Sequence, residues 1–296
     1  MKYLISLLIF IFLQSNSFAN RIISSIKPVD SLVRMIVVNP DNVGLIIDNN
    51  QSHHGFNLKP SDLKKINEAK IIFYIDETNE IFLKKILENS KNIIKVPLLK
   101  KADVRLLNMR NANEWKSKKA NYKDKIFDKH IWLDTKNAKE MLEIIKEELT
   151  KLYPINKKFY EKNYEIAVRK IDNLYEELEK QLKPVKDKKF IVFHDAFHYF
   201  EHQFNLNNIG AISVHPHGNV SIKRLKQNMV KINNQKVKCI FFEPQFNKKF
   251  TNMVAKNSGA KVLAIDAIGF NLKPSKELYL ELMRNIGNSF AECLSD

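Results

Sequence analysis

The chain has 296 residues, 44% of them apolar, enough for about two domains at roughly 150 residues each. Its 49 Lys and Arg against 33 Asp and Glu give a net charge of +16. The basic residues are spread along the chain and often sit beside acids, as in Glu176-Glu177-Leu178-Glu179-Lys180, so they describe a lysine-rich surface and not a nucleic-acid interface. The seven glycines assemble neither G-x-G-x-x-G nor G-x-x-x-x-G-K, which excludes the glycine-rich phosphate cradles of Rossmann dehydrogenases and P-loop NTPases.

In chain order, Met1-Lys2 is followed by an apolar run over 4–13, broken only by Ser6, and then by Ser17-Phe18-Ala19. A basic start, a short apolar core and small residues before Asn20 read as a secretory signal peptide over 1–19, too short to span a membrane. The remaining chain is expected to be exported and soluble.

Strands are expected at 21–26, 43–48, 70–75 and 92–96, alternating with helices at 28–37, 61–69 and 80–88. Such alternation predicts a parallel sheet wrapped by helices. The stretch 100–129 is polar and aperiodic and reads as a surface loop, and 135–151 is helical. After Pro154, Phe159, Tyr164, Ala167, Ile171, Leu174, Leu178 and Leu182 recur mostly at three- and four-residue steps, and Pro184 ends the pattern. A helix of about 28 residues is roughly 40 Å long and reads as a rigid strut between two lobes. Strands then resume at 190–193, 211–214, 237–242 and 261–265, with helices at 196–204, 221–230, 246–258 and 276–293. The expected fold is therefore α/β. Two lobes with parallel sheets, over 20–152 and 185–296, are joined by one long helix over 153–184, with a cleft between them where strand ends converge.

Three histidine groups lie at such junctions. His53-His54 follows the second strand, His130 precedes Ile131-Trp132-Leu133-Asp134, and His194 follows the strand at 190–193. Neutral imidazoles are zinc ligands, so convergence of these loops would build a metal site. His194-Asp195-Ala196-Phe197-His198 differs by one carboxylate from the H-E-x-x-H helix of zinc peptidases. However, His194 closes a β-type run instead of sitting within a helix, which argues against a peptidase. His198 and His202 are expected to be solvated or partly packed, and His215 and His217 to lie in a solvated turn. Cys239 and Cys293 are the two cysteines, and export to an oxidising compartment favours joining them.

The junctions resemble those of the periplasmic zinc-binding component of the high-affinity zinc ABC uptake system. The resemblance covers nearly the whole exported chain. It rests on His54 with Asn57-Leu58-Lys59-Pro60-Ser61-Asp62, on Asp128-Lys129-His130-Ile131-Trp132-Leu133-Asp134, and on Phe193-His194-Asp195-Ala196-Phe197-His198-Tyr199-Phe200-Glu201. Phe242-Glu243-Pro244-Gln245-Phe246 and Ile265-Asp266-Ala267-Ile268-Gly269 add to it.

The resemblance implies a non-enzymatic monomer that captures Zn2+ in the periplasm and hands it to an ABC permease in the inner membrane. It implies no nucleic-acid partner and no small organic substrate. Carried over, His54, His130 and His194 are metal ligands, Asp266 sits where many members supply a carboxylate ligand, and the Cys239–Cys293 pairing gains support. Two departures stand out. The loop 100–129 lacks the histidines that many zinc-type members carry there. His53 replaces a glutamate that reaches the metal in some members, so the fourth position stays open among Asp266, His53 and water, with Asp266 favoured. Three imidazoles favour zinc over manganese. They also predict that affinity falls by up to about three decades per pH unit below the ordinary imidazole pKa of about 6.5. The alternative from another class is a metal-binding adhesin on the same fold; a zinc peptidase is the remote one.

Overall fold

The computed structural model describes residues 21–48, 51–110, 115, 127–213, 222–256 and 258–295. The expected signal peptide, half of the loop 100–129, His215 and His217 lie outside the described residues, as does the side chain of His53.

Four short parallel strands form the first sheet, in the order β2-β1-β3-β4: β1 (Ile22–Ser24), β2 (Val43–Leu45), β3 (Ile71–Tyr74) and β4 (Ile94–Pro97). Their runs are almost wholly buried in β1, β2 and β3, as expected for strands covered on both faces. The crossover helices are α1 (Lys27–Ile36), α2 (Pro60–Glu68) and α3 (Ile81–Asn89), with the short α4 (Leu98–Lys101) after β4. Pro28 and Pro60 sit in the first turns of α1 and α2, where a missing N–H costs nothing. Asp134 opens α5 (Thr135–Leu152) by accepting the N–H groups of Lys136 and Asn137, satisfying donors that a helix start leaves unpaired.

The strut is α6 (Lys157–Leu182), 26 residues long and thus about 39 Å, flanked by single 3-10 turns at Pro154–Asn156 and Lys183–Val185. Tyr160, Ala167, Ile171, Leu174, Leu178 and Leu182 face the core, while Phe159 is 57% exposed. Phe159 lies one residue, or about 100°, off that stripe, so Tyr160 takes the place expected for it.

The second sheet repeats the plan in the order β6-β5-β7-β8, again parallel: β5 (Lys189–His194), β6 (Asn207–Ser213), β7 (Cys239–Phe242) and β8 (Lys261–Ala264). Its helices are α7 (His198–Phe204), α8 (Ile222–Gln235), α9 (Lys249–Ala255) and α10 (Leu278–Leu294). Strand β6 begins four residues before the expected 211. Its polar start is an edge position, where Asn208 Nδ2 donates to Glu201 Oε1 at 2.7 Å and Asn207 Nδ2 to the Asp187 carbonyl at 3.2 Å.

Alternate residues of β5 face two cores. Phe190 and Val192 join one continuous apolar core that runs through α1, α5, α6 and α10 to the first sheet, while Ile191 and Phe193 belong to a separate core under α8 and α9. Helix α10 belongs to both lobes' packing: Tyr279 N donates to Ser31 Oγ of α1 at 2.9 Å. A Cβ on Gly287 would collide with Leu178 Cδ2, so glycine is what lets α10 approach the strut this closely. Among the described residues no helix is long and apolar enough to cross a membrane.

Cys239 and Cys293 are joined, their Cα atoms 5.9 Å apart, pinning α10 to β7. Closing a 54-residue separation restricts the unfolded chain by about 4 kcal/mol in the chain-entropy description. The variant with both cysteines replaced by alanine is expected to lose about that much unfolding free energy in urea. An unchanged denaturation midpoint would show that the bridge adds nothing.

Candidate metal centre

Three loops at the carboxyl ends of parallel strands bring His54, His130 and His194 together. His54 lies in a 3-10 turn (His53–Gly55) beyond β2, begun by Ser52, whose side chain accepts the His54 N–H at 3.3 Å. His130 precedes a second 3-10 turn (Ile131–Leu133), tied down by Trp132 Nε1 donating to the Ala267 carbonyl at 2.8 Å. His194 is the last residue of β5.

One ring nitrogen from each of these three lies within 4.8 Å of the others, and the ring centroids are 5.1–5.5 Å apart. Nitrogens on one tetrahedral zinc at about 2.0–2.1 Å are about 3.3 Å apart, so small side-chain adjustments suffice to close on an ion. His130 and His194 are buried and His54 is half-buried at the cleft.

Two carboxylates set the rings. Asp128 Oδ1 accepts the backbone N–H of His130 at 3.0 Å and lies 2.7 Å from its Nδ1. Glu243 Oε2 lies 3.2 Å from His194 Nδ1. An ionised carboxylate only accepts, so each Nδ1 would carry the proton and each Nε2 would present its lone pair to a bound ion, as in carboxylate–histidine–zinc arrangements. Sequence reading placed both acids inside motifs but gave neither a role: the Glu243–His194 pair is made across two strands, whereas Asp128 stands two residues from His130 and that spacing was the signal available.

Burial, reinforced by the neighbouring His194, holds the His130 imidazole well below its ordinary pKa. Burial also works to lower His194, but the charge and contact of Glu243, with the charges of Asp195 and Asp128, outweigh it and the net shift is upward. Burial pushes the Asp128 carboxyl up to about 7.

Asp266, expected as the carboxylate ligand, does not join this group. Its oxygens accept the backbone N–H groups of Ile268 at 2.9 Å, Gly269 at 3.1 Å and Phe270 within its own loop. The Lys27 ammonium takes the Gly269, Phe270 and Leu272 carbonyls of the same loop at 2.8–3.0 Å. Gly269 supplies the left-handed φ of +76° that the turn needs.

His194 and His198 do not share a helix: one ends β5 and the other starts α7. Asp195 is taken by the guanidinium of Arg110, so the peptidase geometry is absent. His198 departs from its expected solvated face. It is 1% exposed, 3.7 Å from Asp128 Oδ2, and burial beside Arg110 drives its pKa down to about 2. The expected surface loop also departs at its ends. Leu107 and Phe127 are buried beside an antiparallel bridge between Asn108 and Phe127. Arg110 is buried between Asp195 and Glu201, the latter at 2.7 Å, and stacks on Trp115 at 4.4 Å.

Residues 22–293 match the family profile described as zinc-uptake complex component A, periplasmic, or ZnuA. The high-affinity zinc uptake system protein ZnuA of Brucella suis biovar 1 is 32% identical over 305 residues, covering 93% of this chain and 91% of the relative. A crystal structure of a 138–173 deletion mutant of ZnuA with zinc bound superposes with a TM-score of 0.79 at 25% identity, over 94% of this chain and 99% of that one. The laminin-binding protein of Streptococcus agalactiae, described as having adhesin and metal-transporting activity, superposes at 0.76 with 23% identity, over 93% of this chain and 99% of that one. At that identity it shares the fold.

Proposed function

The chain belongs to the family of periplasmic component A of zinc-uptake complexes, and from that premise we propose that His54, His130 and His194 form the site at which it captures one Zn2+ for high-affinity uptake. It is a transport binding protein and not an enzyme. Three converging imidazoles, two of them backed by buried carboxylates, are the observation that carries the assignment. The donor set fits the ion: neutral nitrogen ligands suit zinc, and a harder ion such as manganese prefers carboxylate.

The ion is cargo. It enters the cleft between the lobes (20–152 and 185–296, with the linking helix at 153–184) and leaves to an ABC permease of the inner membrane, the monomeric carrier docking there. Residues 1–19 direct export and are removed, so the mature chain begins at Asn20. The adhesin reading rests on the shared fold alone, and a deletion strain separates the two: loss of zinc uptake at low zinc supports the carrier, and normal uptake would support the adhesin.

Metal analysis of untagged protein is expected to find one zinc per chain. The Asp266 carboxylate is committed to backbone N–H groups of its own loop, which leaves the fourth position to water or His53. Asp266→Asn is therefore expected to change zinc affinity by less than about threefold. A loss of about a hundredfold or more, as for a removed ligand, would place Asp266 on the metal.

A further inference from the structure

The two buried ligands are backed differently. Asp128, behind His130, sits in a closed setting: the Tyr199 hydroxyl donates to its carbonyl at 2.7 Å and His198 packs beside it. Glu243, behind His194, is 2% exposed but lies one turn from the cleft. The Phe246 N–H donates to the Glu243 carbonyl at 3.0 Å, closing a turn over Glu243-Pro244-Gln245-Phe246 with proline in the position that favours it. That turn folds the Gln245 side chain back onto Glu243, whose Oε1 accepts from Gln245 Nε2 at 3.0 Å. The other oxygen, Oε2, faces His194 Nδ1 at 3.2 Å. Gln245 itself lines the cleft mouth of about 710 Å3, with Gln51, Asn57 and Lys59 opposite and Pro244 and Phe270 beside it.

We propose that Gln245 is a positioning residue for zinc, acting through Glu243 on His194. Resting on the site proposed above, the inference extends the metal centre outward by two residues to the cleft surface. The physical reason is that a carboxylate on a rotatable stem holds an imidazole only if its own plane is fixed. One Glu243 oxygen serves the ring, so the amide on the other oxygen fixes that plane. Only the NH2 end of an amide can donate to a carboxylate, which assigns the Gln245 orientation: Nε2 toward Glu243, with Oε1 accepting no hydrogen bond among the described residues. Met has nearly the length of Gln but no donor, so Gln245→Met removes the bond and keeps the volume.

The test is a double-mutant cycle read by Zn2+ affinity in chelator competition, using the full mature chain. Glu243→Gln is expected to weaken zinc by about 10- to 100-fold, the usual effect of losing a ligand's outer partner. Gln245→Met is expected to weaken it about tenfold, with the zinc-free protein melting as before. Because both act through one carboxylate, the double variant is expected to match Glu243→Gln alone within about threefold, whereas a merely structural effect multiplies. Gln245→Leu, which removes the donor without adding a charge, carries the same expectation if the Met variant folds poorly. Wild-type affinity in the Gln245 variants, or losses that multiply, would overturn the proposal. His194→Ala separates the two readings. If it loses zinc while Gln245→Met does not, only the positioning role fails; if it keeps zinc, the site itself fails.

Discussion

Replacing His54, His130 or His194 with alanine is expected to weaken Zn2+ binding by about two to three decades each. Tetrahedral zinc sites draw about 10–16 kcal/mol from four ligands, so one ligand carries about 2.5–4 kcal/mol. Chelator competition measures this directly, and His202→Ala, an exposed imidazole on α7, is the control expected to leave affinity unchanged. His198→Ala tests the geometry differently. That side chain is buried, so its removal leaves a cavity and lowers the melting temperature, but its ring lies outside the three-nitrogen cluster. If His198→Ala cost more zinc affinity than His130→Ala, the centre would lie at the start of α7 and not at the cleft.

The convergence of His54, His130 and His194 was readable because each stands where a strand or loop gives way to the next element, and such junctions share one end of a parallel sheet. His194 was legible as a non-helical residue from the apolar run before it, which removed the peptidase reading before any geometry was known. The periods of α5, α6 and α10 gave those helices to within a few residues, because one apolar stripe must face one core.

What composition hid was single anchors. Arg110 lies in a polar, aperiodic stretch, yet it is buried against Asp195 and Glu201 of the other lobe, and no local pattern announces a pairing across that many residues. Asp266 shows the converse limit. Its motif is recognisable, but whether a carboxylate faces an ion or its own loop depends on the turn, here closed by Gly269 and by Lys27 from α1. Glu243 was hidden for the same reason: it meets His194 across two strands, and sequence spacing carries no record of that contact, whereas Asp128, two residues from His130, was open to a local reading.

The structure also changes the expected response to acid. Three imidazoles of ordinary pKa would cost up to about three decades of affinity per pH unit, but these rings are not alike. A protonated imidazole cannot bind zinc, so a ligand with a raised pKa meets proton competition at higher pH, and one with a depressed pKa meets none until far lower. His130 is held well below its ordinary value by burial, so it is already neutral near pH ~6 and releases no proton to zinc. Burial lowers His194, but Glu243 with Asp195 and Asp128 outweighs it and the net shift is upward, so affinity is expected to start falling above pH ~6.5, by about one decade per unit. Asp128 adds a second proton. With a pKa of about 7, it becomes an acid as the pH drops below neutrality and no longer accepts from His130 as a carboxylate does. Competition titrations between about pH 8 and pH 5.5 should therefore show the loss beginning above the ordinary imidazole pKa of about 6.5, with His130 contributing no proton over that range. In Glu243→Gln the strongest of the groups that raise His194 is gone, so the onset should move to lower pH even though affinity at high pH is weaker. A wild-type curve flat down to pH ~6, or an onset unmoved in that variant, would mean that the Glu243–His194 contact does not set the metal's competition with protons.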